Sequence, residues 1–194
     1  MRIKKYKSSV LSMAVVSALG VTDFAQAQVL EEVVVTARKR SENLQEVPMA
    51  VSSFSAAQLR AAQVDGILDL ERMTPNVTLT ETGGLVAGAI QVFIRGIGND
   101  AGFDQGVGIY ADDVYLNRTT GALLEVFDIE RIEILKGPQG NLYGRNTIGG
   151  AIRFISKEPT EELSGRVEVS AGDYDMMRIR GNVSGPIIGD TLLG

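Results

Sequence analysis

The sequence predicts an α+β domain, in the broad α/β class: a small sheet with short helices and long loops, followed by a β-hairpin of a different kind. Three observations carry this expectation. Two short helix signals come first, at residues 55–63 and 65–74; β-forming runs follow, linked by fourteen glycines between Gly83 and Gly150; and the last segment alternates apolar and polar residues along two strands. With 194 residues, 44% of them hydrophobic, the chain has room for the core of one domain plus appendages.

The N-terminus has the layout of an export signal. Arg2, Lys4, Lys5 and Lys7 precede the mostly small and apolar run from Val10 to Val21, and Ala25-Gln26-Ala27 places small residues at the cleavage positions. A cut after Ala27 is expected, which makes residues 1–27 a signal peptide. The apolar run is too short for a membrane-spanning helix, which needs about 20 such residues. Loss of the leader removes those four bases together with Asp23, so the net charge of −5 becomes −8. An acidic exported chain is a poor partner for nucleic acid. The chain also has no cysteine and no histidine, which removes disulfides, thiolate and ordinary zinc sites and every triad built on histidine. Only carboxylates, lysines, tyrosines and hydroxyls are left for catalysis. No cofactor and no metal are expected.

Residues 28–45 are read as a flexible N-terminal segment. Within it Glu32-Val33-Val34-Val35-Thr36-Ala37 is strongly β-forming, yet no hairpin partner stands within turn distance. Such a strand can add to the sheet edge of another protein, or pair with a distant strand of its own domain. The domain proper is expected over residues 46–158. Val47 to Phe54 reads as a strand. Ser55-Ala56-Ala57-Gln58 is a capping box with Phe54 and Leu59 as its staple, so a helix is predicted from about Ala56 to Gln63. Asp65 is the expected cap of a second helix, Ile67 to Met73, which the residue before Pro75 ends.

Ile90 to Ile94, Val107 to Ala111, Val114 to Leu116 and Arg131 to Leu135 are the next predicted strands. Asp112-Asp113 stands where a two-residue hairpin turn belongs, and aspartate tolerates the left-handed backbone. Ile132 and Ile134 share one face of their strand, while Glu130, Arg131 and Glu133 lie on or just before it. That pattern fits a sheet with one apolar and one charged face. From residue 159 to residue 194, Gly165 to Ala171 and Met177 to Ser184 alternate around the connection Gly172-Asp173-Tyr174-Asp175. A barrel hairpin facing lipid on one side and water on the other has this pattern, and so does a half-exposed soluble hairpin.

The glycine-rich stretch Gly137 to Phe154 fails as a nucleotide site. Gly140-Asn141-Leu142-Tyr143-Gly144-Arg145-Asn146-Thr147 is one residue short of a phosphate-binding Walker loop, has arginine for its lysine and displaces its hydroxyl. Gly96-Ile97-Gly98 has Ala101 where a dinucleotide fingerprint needs glycine. What remains is close backbone packing.

These residues carry a family resemblance. Leu30 to Arg40 resembles the TonB box of TonB-dependent outer-membrane receptors; Val92-Phe93-Ile94-Arg95-Gly96 and Val107 to Tyr115 resemble the plug strands and their hairpin; Ile129 to Asn146, followed by Gly149-Gly150-Ala151-Ile152, resembles the plug signature. The resemblance implies a plug domain with a small mixed four-stranded sheet and short helices, then the first hairpin, over residues 159–194, of a barrel of about 22 strands of which only that hairpin is present. It implies that Glu32, Val33, Val34, Val35, Thr36 and Ala37 bind the energy-transducing protein TonB in the periplasm. It also implies that the signature comprises Arg95, Gly96, Glu130, Arg131, Glu133, Lys136, Gly137, Pro138, Gln139, Gly140, Tyr143, Gly144, Arg145, Asn146, Gly149 and Gly150.

On this resemblance the plug occludes its own barrel in the outer membrane. Substrate, a ferric siderophore or a similar small molecule, binds against apical loops such as Gly83 to Gly88 and Gly96 to Gly106, and occupancy is signalled through the TonB box without any catalysis. Three positions depart from the family's habit. Lys136 stands where arginine is common and lacks the planar fork for bidentate pairing, Asn141 replaces a small or hydroxyl residue, and Arg153 adds a charge where a neutral amide is usual; the first and last bear on contacts between plug and barrel. Two other readings stay open at this point: a stand-alone periplasmic plug-like domain or a non-functional gene fragment, and an enzyme built on Asp112 or Glu133.

Overall fold

The computed structural model describes residues 33–82, 88–99, 105–118, 124, 126–188 and 191–193. The expected signal peptide, Glu32 and parts of both apical loops lie outside these residues.

The sheet expected from the β-forming runs is mixed. Strand β3 (Ala50–Ser55) starts three residues later than predicted, because Pro48 has no N–H to give and the Met49 N–H closes a turn onto the Val47 carbonyl at 2.8 Å. Strands β7 (Val107–Ala111), β8 (Val114–Tyr115), β9 (Ile129–Lys136) and β10 (Gly150–Ser156) complete it in the order β3-β9-β10-β7-β8. The β10–β7 pair is parallel and the other three are antiparallel. The mixed sheet has five strands where four were expected: β10 was not among the predicted runs, and Ile90 to Ile94 lies in a different sheet. Asp112 and Asp113 form the turn between β7 and β8 with φ of 45° and 66°, as the left-handed requirement demands.

Helix α1 (Ala56–Ala61) begins at Ser55, whose hydroxyl accepts from Gln58 N–H while the Gln58 side chain accepts from Ser55 N–H. It ends short of Gln63, which sits at a φ of 53°. The second helix divides into a 3-10 turn (Ile67–Asp69) and α2 (Leu70–Met73), and its cap differs from the sequence reading. The carboxylate that accepts from the Asp65 and Gly66 N–H groups, at 3.0 and 3.1 Å, belongs to Asp69. An acid three residues inside the turn reaches back to these donors, whereas the exposed Asp65 carboxylate points to Arg180 at 3.8 Å.

Strands β4 (Val77–Thr82), β5 (Ala89–Ile94) and β6 (Ile97–Asn99) form a separate antiparallel sheet. Its Val77, Leu79, Ile90, Val92 and Ile94 pack with Leu59, Ile67 and Leu70 on one face of the main sheet, against Ile109, Ile132, Ile134, Ile152 and Phe154. This is the principal core, and Ile132 and Ile134 both face it as the alternation predicted.

Strands β11 (Ser164–Ala171), β12 (Met177–Ile188) and β13 (Thr191–Leu193) form a third sheet. Val167, Val169, Ile179 and Val183 are exposed on one side of the β11–β12 hairpin. Its other side turns Arg166, Arg180 and Asn182 toward the domain, where both guanidinium groups lie over Phe127 at 5.9 and 5.7 Å and Asn182 bonds Asp128. The apolar-out, polar-in alternation is therefore realised. A crevice of about 330 Å³ separates hairpin and domain there, lined by Arg60, Asp65, Phe127 and Arg180 among others.

Candidate functional site

The second face of the main sheet carries charge, and the N-terminal segment covers it. Two residues are enough to begin the cover: β1 (Val34–Val35) pairs antiparallel with β2 (Glu42–Asn43), and Leu44 N–H reaches the Val33 carbonyl at 2.9 Å. This corrects two expectations. A hairpin partner does stand within turn distance, hidden from sequence reading because Glu42 and Asn43 have little β-propensity. And from residue 33 onward the segment expected to be flexible is docked: Val35, Ala37 and Val47 are buried with Tyr110, Leu135 and Ala151.

Thr36 is the centre of the dock. Its backbone N–H donates to Glu133 Oε1 at 2.7 Å, and its hydroxyl donates to the same oxygen at 3.3 Å. That hydroxyl accepts in turn from Arg131 Nη2 at 3.0 Å and Arg153 Nη1 at 2.9 Å. Glu133 is 0% exposed, and its two oxygens also take Arg131 Nε at 2.9 Å and Arg153 Nη1 at 2.7 Å. A buried carboxylate is tolerated only when paired and hydrogen-bonded, and both conditions hold here. Arg131 pairs further with Glu130, and Arg153 Nη2 with Asp113 Oδ1 at 2.8 Å.

Tyr143 closes the far side. Its hydroxyl donates to the Ala37 carbonyl at 2.7 Å, and its own carbonyl accepts from Tyr110 at 2.6 Å. Lys39 and Arg153 sit over its ring at 5.6 and 5.7 Å. Burial pushes the Tyr143 phenol up to about 12, Glu133, Asp113 and Tyr110 push the same way, and Arg153 opposes them. Burial alone would lower Arg153, but Tyr143, Asp113 and Glu133 more than offset it and its pKa is raised.

The signature residues divide into two groups. Arg131, Glu133 and Tyr143 meet the docked segment, and Glu130 pairs with Arg131 behind it. The others build the frame. Arg95 and Gly96 make the β5–β6 turn with φ of 54° and 76°, and Arg95 N–H bonds the Asn76 carbonyl at 2.8 Å. Lys136 donates to the Pro75 carbonyl at 3.2 Å, and burial, then the charge of Arg95, lowers its pKa. Gly137 N–H bonds the Gly149 carbonyl and Gln139 N–H the Thr147 carbonyl, both at 2.9 Å, which ties the loop between β9 and β10 across its base. Gly140 to Tyr143 is a single helical turn, α3, flanked by exposed Pro138, Gly144 and Arg145, and Asn146 donates to the Tyr115 hydroxyl at 2.9 Å.

At Gly150 an added Cβ would stand 2.1 Å from the Leu135 carbonyl, and at Gly149 it would stand 2.6 Å from the Ile97 carbonyl. Only bare backbone fits at these two positions, which accounts for Gly149 and Gly150 without any phosphate.

Sequence reasoning missed Asp113 and Arg153 as members of the site. Arg153 was expected to bear on the barrel, and it is instead 3% exposed and turned into the domain's own charged cluster. The signal that finds it is register: Arg153 lies directly across the β9–β10 ladder from Glu133. Among the described residues no group of acids, histidines and cysteines could hold a metal. The cluster holds a strand.

A family model described as the TonB-dependent Receptor Plug Domain matches residues 43–151. The chain is 31% identical over 163 residues to the pesticin receptor of Yersinia pestis, covering 83% of this chain and 24% of the relative. It is 30% identical over 173 residues to the vitamin B12 transporter of Vibrio vulnificus, covering 86% and 28% respectively. The solved ferric yersiniabactin uptake receptor of Yersinia pestis superposes with a TM-score of 0.66 at 28% identity, over 72% of this chain and 22% of that one. This chain therefore spans about a quarter of the length of the curated relatives it matches. Those relatives are receptors and transporters rather than enzymes. With the signature, the mixed sheet and these likenesses in agreement, the chain belongs to the TonB-dependent receptor plug-domain family of the outer membrane.

Proposed function

We propose that this chain supplies the plug of a receptor that takes up a scarce nutrient actively, and that residues 32–37 are the strand offered to TonB. Residues 1–27 act as the export signal, residues 46–158 as the plug, and residues 159–194 as the first hairpin of the surrounding barrel. The nutrient is a ferric siderophore, the class to which the ferric yersiniabactin receptor and the ferripyoverdine receptor of Pseudomonas aeruginosa bound to ferripyoverdine are tied by name. No bond in the substrate is made or broken, so the chain is a transport component and not an enzyme.

One observation supports this reading above the rest. The β1 segment is held by two ladder residues, by a small set of bonds that Glu133, Arg131, Arg153 and Tyr143 make to Thr36 and Ala37, and by the burial of Val35 and Ala37, while Val33 and Val34 are exposed. A strand so held can be withdrawn whole, without unravelling the principal core on the opposite face. Once free, its main-chain donors and acceptors are available to extend a partner's sheet. Val34→Pro removes a ladder donor from that added strand. In iron-starved cells carrying the complete receptor, the variant is expected to abolish ferric-siderophore uptake while receptor abundance in the outer membrane stays normal. Normal uptake by the variant would count against the proposal.

A further inference from the structure

We propose that Arg153 is the positioning residue of the docked segment, and that its bond to Asp113 makes the β7–β8 turn a control point for the release of residues 33–37. This rests on the reading of that segment as the strand given to TonB.

One guanidinium serves three elements. Arg153 lies mid-strand on β10; Nη1 donates to Glu133 on β9 and to Thr36 in the segment, and Nη2 donates to Asp113 in the turn. Its Nε has no acceptor among the described residues. The planar fork is therefore aimed by its anions, and moving one anion rotates the whole group. Glu133 is fully buried, but the Asp113 side chain is 56% exposed, so the cluster can be reached from solvent through Asp113.

The turn that presents Asp113 is fastened on its other side. Asp112 accepts from Ser156 N–H at 2.8 Å and Ser156 Oγ at 2.7 Å, and its own N–H bonds the Phe154 carbonyl at 3.0 Å. Asp112 thus fixes the turn to the end of β10 and Asp113 reaches back along the same strand to Arg153. With the Asp113 charge gone, Glu133, Thr36 and the Tyr143 ring hold the fork. The guanidinium then turns fully onto Glu133 and competes with Thr36 N–H for the carboxylate. Removing the charge at the turn therefore loosens a strand that the turn does not touch.

The chain has no cysteine, so Val34→Cys gives a unique site in it for a spin label, at a residue 45% exposed. The label is read in the full receptor in outer-membrane vesicles without TonB. Asp113→Asn is the decisive variant, because asparagine keeps the left-handed turn and removes only the charge. The mobile fraction of the label is expected to rise about fivefold, as for the loss of one partly exposed charged hydrogen bond. Arg153→Gln is expected to raise it further, and Asp113→Glu to return it toward the parent value. An unchanged label in Asp113→Asn overturns the inference, since a merely structural turn residue would give that result.

Binding of the purified periplasmic domain of TonB to the same vesicles separates the two claims. If Asp113→Asn frees the label but Val34→Pro leaves TonB binding intact, the control point stands and the reading of the segment fails. If Val34→Pro abolishes binding while Asp113→Asn leaves the label immobile, the reading stands and the control point fails.

Discussion

The two faces of the main sheet are sealed by different physics. On one, Ile109, Ile132, Ile134, Ile152 and Phe154 meet aliphatic side chains from three short helical segments and a second sheet. That contact is non-directional and spread over many atoms, so no single residue opens it. On the other face Glu133 and Arg153 lie buried side by side and a short strand closes over them. Here a small apolar cluster of Val35, Ala37, Val47, Leu135 and Ala151 is joined by a few directional bonds, whose contribution is strong only while all members are present. One sheet thus carries a dispersed apolar core on one face and a strand bonded over a buried charge pair on the other.

The largest expected effect breaks the charged face alone. Glu133→Ala leaves Arg131 and Arg153 without their shared anion and is expected to cost about 3–5 kcal/mol. Because that loss falls on the dock, trypsin cleavage at Arg38, Lys39 and Arg40 should accelerate sharply. The matching change on the apolar face, Ile134→Val, is expected to cost about 0.5–1.5 kcal/mol in denaturant unfolding and leave cleavage at those sites unchanged. Equal cleavage in the two variants would erase the distinction between the faces.

A smaller effect sharpens it. Tyr143→Phe keeps the ring beneath Arg153 and Lys39 but removes the donor to the Ala37 carbonyl. A loss of about 1–2 kcal/mol in docking is expected, read by the same cleavage.

The smallest effect is confined to alkaline pH. The docked state favours the neutral phenol of Tyr143, so its contribution is complete below the ordinary value of 10.0 and is lost as pH rises through about 12. Tyr110, Glu133, Asp113, Arg153 and Lys39 are the charged or titratable groups around it. Tyrosinate absorbance and segment mobility should therefore change together between those values, and the coincidence should vanish in Tyr143→Phe.

Local chemistry was readable in the sequence. The capping box at Ser55 and Gln58, the Asp112-Asp113 turn, the Ile132 and Ile134 face and the alternating hairpin each depend on residues a few positions apart. The dock was not readable. Thr36 and Glu133 are 97 residues apart and Thr36 and Arg153 are 117 apart, so no local pattern announces their meeting. Glu42 and Asn43 form a strand only because β1 lies beside them, and Asp69 displaces Asp65 as cap because it reaches two N–H groups at once. Pairing register was the missing quantity in each long-range case.

The same separation sets an order of events during synthesis and export. Thr36 is made before any of β9 or β10, so the leading strand emerges with no place to rest. Contacts that close long stretches of chain form late, because their entropy is lost before they return anything. The dock needs Glu133 and Arg153 aligned across a paired β9–β10 ladder. A seated N-terminal strand thus marks a plug whose β9–β10 ladder has already been assembled.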